Sequence, residues 1–174
     1  MNGLAPLIGI ALLSGSAAPA AAAKPIELRF GGEPWHLALA LGALKPSEGA
    51  PSSPDRQIFT YADGQGTILS VIVENAREPA TMASCRDVFA RRKEQDFDGI
   101  LPVDEVQGQR GEAATQEYDL KLDIPKGEPS VWHHAYTCRV RGTYYIDVHV
   151  SKIRYQPADH DALMTLTDGV AIVE

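Results

Sequence analysis

The side chains from which this chain could build chemistry are few: five histidines, two cysteines and a surplus of acids. The densest group lies in two adjacent alternating segments near 131–153. His133 and His134 are neighbours, so in a strand they point to opposite faces and cannot chelate one ion together. His149 and Asp147 lie in the returning segment. Together with His133 they would offer two imidazoles and a carboxylate, a set suited to zinc or copper. A second place is Glu94–Glu105 (EQDFDGILPVDE), whose acids are spaced like a calcium loop of EF-hand type. Glu94 in place of an Asp, Pro102 and the following Gly-Gln-Arg-Gly count against calcium, and the stretch reads as an acidic connection. Neither place supplies a complete ligand set, so the sequence is assigned no metal site and no cofactor.

Nucleophilic chemistry lacks a frame. There is no G-x-S-x-G elbow, and the scattered Ser, His and Asp residues single out no triad. Gly31-Gly32 and Asp63-Gly64-Gln65-Gly66 serve turns; neither opens a helix after a strand, as a phosphate loop must. No catalytic residue is expected, and a hydrolase is the outlying alternative. Cys85 and Cys138 form an isolated pair outside any C-x-x-C motif, which in an oxidising compartment is most simply one disulfide.

The compartment follows from residues 1–23, which carry no charged side chain. An apolar core, Leu4 to Leu13, runs into Ser14-Gly15-Ser16 and an alanine-rich stretch, and Lys24 is the first charge. This is the layout of a secretory signal peptide cleaved after Ala21, Ala22 or Ala23. No Lys or Arg precedes the apolar core, which makes an uncleaved anchor the competing reading. Cleavage would leave one domain, 24–174, in the periplasm or outside the cell, with no membrane attachment. The net charge of -7 stays on that domain and argues against nucleic acid and anionic lipid as partners.

The elements that must position these residues are legible in outline. Short strands are expected over 26–30 and 35–41, an exposed Pro/Ser/Gly loop over 46–54, and a hairpin over 56–62 and 67–74. Residues 68–73 are apolar on both faces, as in a central, covered strand. A helix follows over 81–95, capped at Thr81 or Ser84, with Met82, Cys85, Val88 and Phe89 on one face. Strands are then expected over 103–106, 112–124, 131–140 and 143–153. A C-terminal helix opens at Pro157 and runs to 172, with Leu163, Leu166 and Val170 as its apolar stripe. Trp35, Trp132, Tyr136 and Tyr144 read as core fill.

The register of the last hairpin decides which side chains meet. A two-residue turn at Arg141-Gly142 would mix apolar and polar residues on each face. A three-residue loop, Arg141–Thr143, separates them, and a one-residue slip flips every side chain, so the cleaner partition is expected. It places Cys138 on an apolar face within reach of Cys85. It leaves His133, Thr137, Arg139, Tyr145, Asp147 and His149 together on a polar face, the candidate binding face.

The order of elements resembles the α/β/α sandwich of the PsbP-like superfamily, a group that includes a photosystem subunit and small bacterial envelope proteins. The likeness rests on element order, so no site residue transfers. The fold expected is a single-domain α+β sandwich, a mostly antiparallel sheet of about six or seven strands with helices near 81–95 and 157–172. The resemblance implies a non-enzymatic binding module with a protein partner, one version being an immunity or inhibitor protein against a toxin or envelope enzyme. An acidic surface would speed association with a basic target. A metal-binding envelope protein is the competing class.

Overall fold

The structure, a computed structural model, describes residues 24–30, 32–96, 102–122 and 130–174, with 90–96 described by backbone alone. The leader 1–23, the middle of the Glu94–Glu105 stretch and residues 123–129, between the expected strands 112–124 and 131–140, lie outside the described residues. Among the described residues, seven strands form one antiparallel sheet. In spatial order they are β3 (Lys45–Ser47), β4 (Arg56–Ala62), β5 (Thr67–Asn75), β9 (Tyr144–Ile153), β8 (Ser130–Arg141), β7 (Ala113–Leu122) and β6 (Val103–Arg110). A second sheet of three strands is ordered β1 (Ile26–Arg29), β2 (His36–Leu39), β10 (Val170–Val173). The helix α1 (Met82–Asp96) covers one face of the large sheet. A 3-10 turn (Pro157–Asp159) leads into α2 (His160–Asp168), which with the small sheet covers the other. This is the expected α+β sandwich.

Each layer closes a core of its own. On the α2 side, Leu69, Val71 and Val73 from β5 and Ile146, Val148 and Val150 from β9 pack with Leu37, Leu39, Leu163 and Val170. On the α1 side, Val88 and Phe89 meet Tyr118, Leu120, Tyr136 and Tyr145. Thr81 caps α1: its Oγ1 accepts the Ser84 N–H, and Ser84 Oγ accepts the Thr81 N–H, both near 3 Å. The expected disulfide, Cys85–Cys138, is present and ties α1 to β8 across a Cα–Cα distance of 5.8 Å.

Two expectations are corrected. The C-terminal helix stops at Asp168 rather than 172, and Val170, expected in its stripe, belongs to β10 and pairs with Leu39. Gly169 ends the helix because the chain passes close to β2 there. Its carbonyl accepts the Ala40 N–H at 2.8 Å, and a Cβ would stand 3.0 Å from the Ala40 oxygen. The β-branched Val170 and Ile172 then favour a strand.

The second correction is the β8–β9 register. Arg141 pairs with Tyr144, leaving a two-residue turn, Gly142-Thr143, instead of a loop over 141–143. Gly142 takes φ 59, and glycine at the first turn position suits a tight hairpin turn. The criterion of a clean polar face fails because the sheet is covered on both sides and buries polar groups on each: His134 and Asp147 on the α1 side, His133 and Thr137 on the α2 side.

Candidate metal centre

The pairing of β7 with β8 sets Asp119 opposite His133, Glu117 opposite Ala135 and Thr115 opposite Thr137. All six point to the face that α2 covers, because side chains alternate along a strand. His160, the first residue of α2, arrives above them. Glu117, His133 and His160 each offer a ligand atom, and these atoms lie within 4.8 Å of one another. Glu117 Oε2 is 3.8 Å from His133 Nε2 and 3.7 Å from His160 Nδ1.

His133 is held as a ligand should be. Its Nδ1–H donates to Asp119 Oδ1 at 2.7 Å, so Nε2 carries the lone pair of the neutral ring. That nitrogen is buried and makes no hydrogen bond. A carboxylate behind a histidine is the usual device for fixing the tautomer and orientation of a metal ligand. Tyr155 stacks on the ring at 4.2 Å and 16° and restrains it further. In a tetrahedral zinc site the ligand atoms are about 3.3 Å apart, so the two Glu117 distances need to close by only about half an ångström. The third, between the two imidazoles, is no more than 4.8 Å.

The local field favours a cation. The Tyr155 hydroxyl is pushed above its ordinary pKa, first by burial and then by the charges of Asp119, Glu117, Asp159 and Asp161. Two imidazoles and a carboxylate suit zinc and copper(II) better than the hard ions calcium and magnesium, which take oxygen ligands.

The structure divides the six residues of the candidate binding face. His133, Thr137 and Arg139 face α2, whereas Tyr145, Asp147 and His149 face α1. His133, Thr137, Tyr145 and Asp147 are also buried. His149 meets His134 rather than His133, with Nε2 2.9 Å from His134 Nδ1, and stacks on Tyr136 at 4.0 Å. The Arg139 guanidinium donates to the Val170 carbonyl and joins the two sheets. Glu117, Asp119 and His160 were missed by sequence reasoning. The signal for the two acids was the alternation Glu117-Tyr118-Asp119-Leu120, which sets two carboxylates on one face of a strand; His160 had none.

No family model matches the chain, and no curated protein matches it in sequence. Among solved structures it is similar to the solution structure of cyanobacterial PsbP (CyanoP) from Synechocystis sp. PCC 6803. The TM-score is 0.53 and the identity 11%, over 92% of this chain and 99% of that one. The fold of this chain is PsbP-like.

Proposed function

We propose that this chain is an exported, non-catalytic binding module whose ligand is a divalent transition-metal ion, zinc before copper(II), held by Glu117, His133 and His160. The observation that carries this reading is His133: buried, anchored through Nδ1 to Asp119, with Nε2 turned toward Glu117 without a hydrogen bond. Export to the periplasm or beyond is supported by the uncharged leader 1–23, expected to be cleaved, and by the Cys85–Cys138 disulfide. Among the described residues no helix is long and apolar enough to cross a membrane.

A second reading keeps a protein partner, such as a toxin or envelope enzyme to be inhibited. It is favoured by β6, which lies at the edge of the large sheet among the described residues and leaves Val106 64% exposed. Such an edge suits strand addition by a partner, and the net charge of -7 suits a basic one.

Thermal unfolding with and without zinc tests the first reading. At a hundredfold excess over Kd, zinc adds about 2.7 kcal/mol, which for a domain of this size is a rise of roughly 5–10 °C in Tm. His160→Ala, a change at a half-exposed position, removes most of that rise, and calcium and magnesium give none. An equal shift in the variant, or no shift in the parent, contradicts the site.

A further inference from the structure

Beside Glu117 and His160 lies a cavity of about 150 Å3, also lined by Arg110, Thr115, Thr137 and Met164. Three protein ligands leave a tetrahedral ion one open position, the arrangement of sites that bind an exogenous ligand. We propose that this position is filled by a small oxyanion seated in the cavity; the inference rests on the metal-site reading above.

Thr137 carries the argument. It is 3% exposed, its Oγ1 makes no hydrogen bond, and it lines the cavity from the centre of the sheet. A buried hydroxyl without a partner is costly, and a ligand oxygen would satisfy it. Arg110 stands in the same lining. Its Nη2 donates to Thr167 Oγ1 at 3.1 Å and forms an ion pair with Asp168 Oδ1 at 2.9 Å, which holds the guanidinium at the cavity wall as a positive charge for an oxyanion. A Lewis-acidic ion, a hydroxyl donor and a guanidinium together define an oxygen-rich anion. The volume has room for a small anion of a few heavy atoms.

The charges set the order of binding. Without the ion, Glu117, Asp119 and Asp168 outweigh Arg110, and an anion is repelled. A divalent ion cancels two of those negative charges, so the anion enters after the metal. By linkage, the anion then tightens the metal by the factor with which the metal tightens the anion.

Cobalt(II) in place of zinc makes both steps visible, because its visible absorption reports coordination number and ligand. The full-length chain is loaded with cobalt(II) and titrated with acetate and with inorganic phosphate at constant ionic strength, with chloride as control. The expected result is a saturable change in band intensity with acetate, phosphate or both. Thr137→Val should weaken it about tenfold while leaving cobalt affinity within twofold. A cobalt spectrum that neither anion moves, or an anion effect equal in Thr137→Val, overturns the oxyanion site and leaves the metal site standing. Absence of any protein-bound cobalt spectrum overturns both.

Discussion

Replacing Cys85 and Cys138 by alanine is expected to destabilise the domain by about 4 kcal/mol. The disulfide joins positions 53 residues apart, and closing a loop of that length removes about this much conformational freedom from the unfolded chain in the chain-entropy model. Domains have total stabilities of about 5–15 kcal/mol, so the loss would bring this one close to unfolding at 37 °C. The effect has a structural side as well. Both cysteines are 0% exposed, and the bond pins α1 over Tyr118, Tyr136 and Tyr145. Urea unfolding of oxidised and reduced protein measures it: the midpoint should fall on reduction, and coincident curves would rule out the assigned role of the bond.

Acid should destabilise the protein through His134. This side chain is 0% exposed, sits between Tyr118 and Trp132, and meets His149 at 2.9 Å. Burial, reinforced by the charges of His149 and His133, pushes its pKa down from 6.5 to about 2. The folded protein therefore holds His134 neutral where the unfolded chain takes up a proton. Its contribution is complete above pH 6.5 and declines as pH falls from 6.5 toward 2, at about 1.4 kcal/mol per pH unit. At pH 4.5 the loss is roughly 3 kcal/mol relative to neutral pH. His134→Asn lowers stability at pH 7 by lost packing, but it should flatten the dependence between pH 6.5 and 4.5. An unchanged slope in that variant would assign the acid sensitivity to other groups.

These two groups show what a sequence of this kind discloses. Cys138 could be placed opposite Cys85 because its face depends only on alternation within β8 and on the helix that packs there. The three-residue loop invoked in support of that face is not the register the structure has, and the disulfide survives the correction at Gly142-Thr143 because alternation within β8 alone keeps Cys138 on the face that α1 covers. The histidine cluster depended on that register and so came out differently: His149 fell to His134 on the α1 side. The doubly apolar run Ile68–Val73 announced a covered strand, and β5 is one. The strand β10 was hidden because Val170 continues the spacing of Leu163 and Leu166. Only the close passage of Gly169 against Ala40 breaks the helix, and that contact belongs to the tertiary fold.

The candidate site was half visible for the same reason. His133 was weighed as a ligand only in a set with Asp147 and His149 that was not assigned as a site, and the partners the structure gives it come from β7 and from the start of α2, distant in sequence. Locating Glu117 beside it needs the β7–β8 register, which no turn chemistry in the sequence fixes. Locating His160 needs the path from Tyr155 through the 3-10 turn. Tyr155 is anchored by its N–H to the Val131 carbonyl at 3.1 Å and by stacking on His133, and Lys152 lies 3.7 Å from Asp159. These contacts bring the first turn of α2 over the carboxylates.

The most direct test of the account is calorimetric titration of zinc into metal-free protein. The account predicts one ion per chain with micromolar or tighter affinity, and a loss of at least about a hundredfold when Glu117→Gln and His160→Ala are combined, as for removal of ligands. No saturable binding, or equal affinity in that double variant, would contradict a metal centre at Glu117, His133 and His160.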